Sequence, residues 1–334
     1  MIDTYSIAGE ARARQASNGR RALVMLAVVG VALYVAVAVA TDATKLTRAL
    51  RQLGWIGCGA VLTLSCANYL LRFYRWKVYL QEFGHRLPQG RHLLCYVSGF
   101  AFTVSPGKAG EAVRSFYLHE HGVTYSESIA TLFVERLVDL LAMVILASLV
   151  TVFNASYIWL LIGTGAAVFA LLIAICRPAL PNWLDRASGR RAGHRSSKWL
   201  AALGSLLRSS GKLLRPRLLV FGTILGLLAW GAEGLGFQLI CRGLDLNINT
   251  VQATAIYAIA ALAGAAAVFL PAGIGGMEAV MTSLLVSRGI SISGALIATL
   301  LCRLATLWFA VIIGLLAAGI LELLGAGRRL GATS

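Results

Sequence analysis

Apolar residues along this chain fall in long unbroken runs, such as "ALVMLAVVGVALYVAVAVA" at 22–40, with neither strand-like alternation nor a narrow helical stripe. Runs near 22–40, 53–71, 129–150, 157–176, 217–241 and 292–320 each come close to the ~20 residues a helix needs to cross hydrocarbon. Two further runs, 93–104 and 253–270, end at breaks containing Pro and Gly and resume as amphipathic pieces at 109–120 and 276–287. Interrupted apolar segments of this kind predict hairpins that enter the bilayer and return on the same side. The pattern therefore predicts an all-α integral membrane protein of about six transmembrane helices plus two re-entrant helical hairpins, a single membrane domain over 1–334.

Composition agrees: 58% of the 334 residues are hydrophobic and 13% charged, with a mean hydropathy of +0.76. The run at 22–40 follows Arg12, Arg14, Arg20 and Arg21 and ends in small residues, but it exceeds the roughly 7–15 residues of a signal-peptide core and reads as an uncleaved span. A net charge of +16 raises the question of nucleic acid, yet the basic residues lie between apolar runs rather than along one soluble face. They read as topology signals and as contacts for anionic lipid headgroups, with no nucleic-acid partner. Of the 30 Lys and Arg, only Lys45, Arg48, Arg51, Arg242 and Arg288 fall on the outer side of a six-span arrangement that keeps both termini in the cytoplasm. The long basic loop at 177–217 resembles a linker and orients the chain. Six dispersed cysteines form no CxxC pair, and His119 and His121 around Glu120 do not make HExxH, so neither disulfide, metal nor cofactor is expected.

The two breaks echo each other. "SPGKAGEAVRSFYL" at 105–118 and "LPAGIGGMEAVMTSLL" at 270–285 match Pro106 with Pro271, Gly110 with Gly276 and Glu111 with Glu278. Each glutamate is followed 25 residues later by an arginine inside an apolar run, Arg136 and Arg303. Repeats at 22–150 and 157–320 hold three spans each, an odd number, so the second would enter the membrane inverted. Pro and Gly halt each descending helix and leave the amides of the next half-helix without partners, a setting that attracts an anion such as a lipid phosphate.

Candidate substrate-binding residues are Pro106, Gly107, Lys108, Gly110, Glu111, Arg114 and Arg136 in the first repeat, and Pro271, Gly273, Gly275, Glu278 and Arg303 in the second. Glu111 with Arg136 and Glu278 with Arg303 read equally as gating pairs or as salt bridges joining hairpin to span, since an unpaired charge at that depth is costly. Glu135 and Asp139, four apart on one helical face, form a carboxylate pair able to hold a proton, although Asp139 also lies three from Arg136 and can neutralise it. Glu233 is the most isolated intramembrane acid, and Gly231, Gly234 and Gly236 around it permit close helix approach. Arg72, Tyr74, Arg75, Trp76 and Tyr79 read as an interfacial anchor at the end of the second span. "GIGGMEA" lacks a surrounding βαβ unit and "SPGKAGE" lacks phosphate-loop spacing, so no nucleotide engine is visible.

At these residues the chain resembles the flippase-like membrane domain of lysylphosphatidylglycerol synthases. That family pairs a first P-x-x-x-G-[DE]-x-x-R (Pro106, Gly110, Glu111, Arg114) with a later P-x-G-x-G-x-x-E (Pro271, Gly273, Gly275, Glu278), each followed by an arginine-bearing span. The resemblance covers about 50–320 and implies a bacterial inner-membrane lipid translocase acting on a phospholipid or lipid-linked polar headgroup. The expected partner is a lipid with an anionic phosphate, a homo-oligomer being compatible. The soluble aminoacyl-transfer domain of bifunctional members has no room in these 334 residues. Rival readings are a membrane-embedded lipid-modifying transferase with Glu111 as general base, and a non-catalytic subunit of an envelope biosynthesis complex.

Overall fold

A computed structural model of the chain describes residues 3–103, 109–152, 158–177, 179–190, 195–266 and 275–331. Among them the regular structure is helical throughout. Helix α1, Asp3–Glu82, is broken twice, at Asp42 (φ −168°, ψ 89°) and at Gly54 (φ 58°, ψ 179°). The left-handed φ at Gly54 is one that a side chain would resist. The segment between the breaks turns Ala49 inward and pins its ends with Lys45 on Asp42 and Gln52 on Asp245, the latter at 2.7 Å.

The first hairpin is α2, Gln89–Ser98, continued by 3-10 turns over Gly99–Phe102, and after the break by a 3-10 turn at Ala109–Val113 and α3, Arg114–His119. Then follow α4, Tyr125–Ala147, α5, Ile158–Cys176, α6, Ala179–Arg190, and α7, Arg195–Leu213. Helix α8, Pro216–Gly243, leads to the second hairpin, α9, Thr250–Ala266, and α10, Gly276–Val286. Helices α11, Ile292–Arg303, and α12, Phe309–Gly331, are joined by a π segment at Leu304–Trp308.

Among the described residues three helices are long and apolar enough to cross a membrane: Asp42–Glu82, Pro216–Gly243 and Ile292–Leu324. A fourth is reached if Ile162–Ile175 and Leu180–Gly189, bent by 61°, form one span. The protein is a multi-pass, all-α membrane protein. Helix α4 has the length, 23 residues, but Glu135, Arg136 and Asp139 at its middle lower its hydropathy. The expected run 22–40 lies in α1 ahead of Asp42. The stretch at 177–217 is not a plain linker: α6 and α7 pack on each other and bury Leu184, Leu207 and Leu213 against α4 and α5.

The last segment of α1 lies along α8. Around this pair the hairpins cross over: α2 packs on α12, α9 packs on α4, and α11 rests on α1 as α4 rests on α8. Two aromatic-rich cores result, one around Trp76, Tyr96 and Phe100 beneath α12, the other around Phe237, Tyr257 and Met281 beneath α4. Gly314 permits a close backbone approach, since a Cβ there would sit 2.7 Å from the Phe100 carbonyl carbon. Of the three glycines around Glu233, only Gly234 marks a tight crossing, with Thr254 Cα 2.9 Å from where its Cβ would be. Gly231 faces open space and Gly236 has ordinary contacts.

The turns repeat as well. After Leu80 the chain closes with amide bonds from Phe83 and His85 to the Leu80 carbonyl, and after Cys241 with bonds from Leu244 and Leu246 to the Cys241 carbonyl; Gly84 and Asp245 are left-handed in each. After Leu118 and Leu285 the same closure recurs, with Gly122 and Gly289 left-handed. Thr124 then caps α4 and Ser291 caps α11. From Glu111 to Arg136 and from Glu278 to Arg303, glutamate, left-handed glycine, cap and arginine keep one constant offset.

Candidate functional site

The first hairpin, the end of α1 and the middle of α4 bring together four guanidiniums and three carboxylates: Arg72, Arg75, Arg114 and Arg136 with Glu111, Glu135 and Asp139. Glu135 is at the hub. Arg72, Arg75, Arg114 and Arg136 lie 3.3, 3.7, 3.5 and 3.6 Å from its oxygens, and the Tyr96 hydroxyl donates to it at 2.6 Å. Glu111 accepts from Arg114 Nη2 at 2.7 Å, Arg136 Nη2 at 3.2 Å and Thr103 Oγ1 at 3.2 Å. Asp139 pairs with Arg75 and Arg72, both closer than Arg136 at 3.9 Å. The neutralising partner expected of Asp139 is therefore mainly on α1.

Aromatic faces complete the cluster. Arg114 lies 4.3 Å from the Trp76 ring centroid and 4.8 Å from that of Tyr96, and Arg72 stacks between Phe100 and Trp230. Guanidiniums tolerate such burial because carboxylates satisfy their edges while rings cover their faces. The side chains of Arg72, Arg75 and Arg114 are 0–7% exposed, whereas that of Arg136 is 26% exposed. Counting formal charges, the cluster carries one excess positive charge, and Arg136 is its open edge.

In the second hairpin Arg303 Nε donates to Glu278 Oε1 at 2.7 Å, and Glu278 Oε2 also accepts from the Gly275 amide at 2.7 Å, where Gly275 has φ +93°. Glu278 thus occupies the anion position at the start of its own half-helix. Arg303 immediately precedes the π segment, and within it the Thr306 carbonyl accepts from the Tyr69 hydroxyl at 2.7 Å. Insertions of this type free carbonyls and recur at functional positions. Glu233 is buried on α8 and accepts from Ser65 Oγ at 3.3 Å.

Both glutamate–arginine pairs expected from their spacing are formed. Glu135 and Asp139 join the first pair, while Glu233 does not touch the carboxylates of either. Gly110 lies in the 3-10 turn beside Glu111. Pro106, Gly107, Lys108, Pro271 and Gly273 lie outside the described residues.

The residues missed as site components are Arg72 and Arg75. Rather than anchoring at an interface, Arg72, Arg75, Trp76 and Tyr79 are buried, and only Tyr74 is half exposed. The signal was in the sequence: Ser65, Asn68, Tyr69, Arg72, Arg75, Trp76 and Tyr79 recur at helical spacing, so an apolar helix carries a polar stripe. Such a stripe in a membrane helix faces protein or a cavity.

At the start of α4, ahead of the apolar run at 129–150, Thr124 and Glu127 form a capping box, and His85 Nε2 lies 3.0 Å from Glu127 Oε2. Partial burial would raise the Glu127 carboxyl, but hydrogen bonds from Thr124 and His85 outweigh it and hold the group below the ordinary carboxylate range. Among the described residues no group of three or more His, Cys, Asp or Glu could hold a metal.

Fold and site define a multi-pass helical membrane protein with a buried arginine and carboxylate centre where the first hairpin meets α1 and α4. The chain belongs to the family described as the lysylphosphatidylglycerol synthase TM region, which matches residues 23–314. No curated protein matches it.

Proposed function

We propose that the protein moves a lipid with an anionic phosphate headgroup between the leaflets of a bacterial inner membrane, its acyl chains remaining in the bilayer. The observation that carries this reading is the position of Arg136, half open at the edge of a buried cluster whose formal charge is one unit positive. Its Nε and that of Arg72 are buried without hydrogen-bond partners, which leaves donors for phosphate oxygens.

Glu111 and Glu278 act as internal stand-ins for the phosphate. Each accepts from the arginine that a headgroup would claim, and each is displaced when the headgroup arrives. Pro106, Gly107, Lys108, Pro271 and Gly273 belong to the proposed headgroup site on their sequence pattern, the glycines and Lys108 having backbone N–H groups that the prolines lack. Six spans, with both termini cytoplasmic and the second repeat inverted, fit this cycle. The matching turns, the reciprocal packing of each hairpin on the other half, and the constant offset from Glu111–Arg136 to Glu278–Arg303 support that arrangement. Glu233, Glu135 and Asp139 are the groups available for coupling to an ion gradient. The family description supports a lipid-related role.

The test is reconstitution in vesicles with a fluorescent phospholipid whose outer-leaflet copies are bleached by dithionite. Wild-type protein should expose inner-leaflet lipid to bleaching, and Arg136→Gln should lose that activity while unfolding at close to the wild-type temperature. Wild-type transport by Arg136→Gln would reject the site. A change in lipid mass in place of bleaching would favour the transferase reading.

A further inference from the structure

Helices α6 and α7 stand apart from the charged centre. They connect α5 to α8, and the chain bends by 61° on leaving Ile162–Ile175 for Leu180–Gly189. One face of the pair is packed inward through Leu184, Leu207 and Leu213. Outside that contact the pair exposes Trp183 at 60% and Trp199 at 76%, with Leu203 one helical turn beyond Trp199 at 44%. Exposed tryptophans of this kind need a covering medium that accepts both an apolar ring and a polar N–H, and the headgroup layer of a bilayer is such a medium.

Charge says which bilayer surface. From Arg177 to Arg217 every ionisable residue except Asp185 and His194 is Lys or Arg, and Arg186, Lys212 and Arg215 are exposed on these helices or at their ends. A basic amphipathic segment with aromatic anchors binds anionic lipid by combining apolar insertion with electrostatic attraction. Because both ends continue directly into apolar helices, the surface within reach is that of the protein's own membrane.

We infer that the α6–α7 hairpin lies in the membrane interface and binds anionic phospholipid headgroups there, with Trp183 and Trp199 inserted. This is a lipid contact separate from the Arg136 edge and independent of whether transport occurs. It has a route to the centre, since Ser205 on α7 hydrogen-bonds Ser126 on α4 at 2.9 Å and α4 carries Glu135 and Arg136.

The experiment uses the full chain in two kinds of vesicle, phosphatidylcholine alone and phosphatidylcholine with phosphatidylglycerol, the acyl chains brominated near the carbonyl end. The contributions of Trp183 and Trp199 to fluorescence are read as differences between wild type and Trp183→Phe or Trp199→Phe, conservative changes on an exposed face. Both should be quenched by brominated lipid and shielded from acrylamide when phosphatidylglycerol is present. That quenching should fall in the triple variant Arg186→Gln, Lys212→Gln, Arg215→Gln and at high salt. Acrylamide access with no bromolipid quenching would overturn the inference. So would shielding from both quenchers, which would place a second copy or another protein on this face. Equal quenching in the two vesicle types would remove the anionic-lipid claim.

Discussion

Replacing Glu135 by glutamine is the sharpest test of the buried cluster, because it changes one charge at constant shape. The carboxylate is fully buried and has four guanidiniums between 3.3 and 3.7 Å from its oxygens. At such separations, and an effective dielectric of ~20, a single pair is worth about 4–5 kcal/mol before desolvation is subtracted. Glutamine can keep the Tyr96 bond but leaves four guanidiniums facing only Glu111 and Asp139. Removing one partner from a buried charge group costs about 3–5 kcal/mol, since the remaining charges stay out of water. We expect Glu135→Gln to lose about that much stability, measured by unfolding in lipid nanodiscs with tryptophan fluorescence as the signal. Adding Arg72→Gln removes a guanidinium that bonds the same carboxylate, so the double variant should recover part of the loss and the two changes should be strongly non-additive. A Glu135→Gln protein within about 0.5 kcal/mol of wild type, or fully additive changes, would mean the cluster is wet or unformed.

Other consequences can be measured on the same preparation. Gly314→Leu drives a side chain into the Phe100–Ala101 backbone and should destabilise by about 1–3 kcal/mol, whereas Gly231→Ala, which meets open space, should be tolerated. Thr124→Ala removes the α4 cap at about 1 kcal/mol. Because the folded Glu127 carboxyl is held below its ordinary value of 4.5, its contribution is complete above that pH and lost as pH falls through the lower folded value. Glu127→Gln should therefore flatten that part of the acid limb in a stability profile recorded against pH.

Much of this was readable from pattern because the bilayer imposes length and composition on its helices. The runs at 217–241 and 292–320 appear as α8 and as α11 with α12, and the 25-residue spacing marks both glutamate–arginine pairs. The run at 129–150 likewise appears as α4, although three ionisable residues sit at its middle. Hydropathy handled the end of α1 badly, stopping at 71 where the helix runs on to Glu82 past Arg72 and Arg75. A window average reads charge as a boundary, while the fold reads it as an inward face. The short helix between Asp42 and Gly54 was hidden for a different reason. Its breaks depend on single backbone angles, and its position depends on Asp245, nearly two hundred residues away.

Under the proposed repeat, aligning the two halves on their matching turns exposes an asymmetry. Positions held by Arg72, Arg75, Glu111, Arg114, Glu135, Arg136 and Asp139 in the first half correspond to Glu233, Gly236, Glu278, Met281, Cys302, Arg303 and Thr306 in the second. Only the glutamate and arginine of the pair are retained. The others have become small, apolar or, at Glu233, opposite in sign. In the first half, opening Glu111 from Arg136 leaves both groups among other buried charges, so the pair is one strand of a larger mesh. In the second, Glu278 is held by Arg303 and by the Gly275 amide at the end of its own helix, and its side chain is more exposed, at 15% against 2% for Glu111. Glu111→Gln should therefore cost about 3–5 kcal/mol and Glu278→Gln distinctly less, about 1–3 kcal/mol. Under the proposed cycle the second pair is the gate that opens more readily. Amide hydrogen exchange should then be faster in Gly276–Val286 than in Arg114–His119, and added phosphatidylglycerol should change the former more. Equal exchange in the two hairpins, together with equal losses for the two glutamine variants, would show that the extra charges of the first half do not stiffen it.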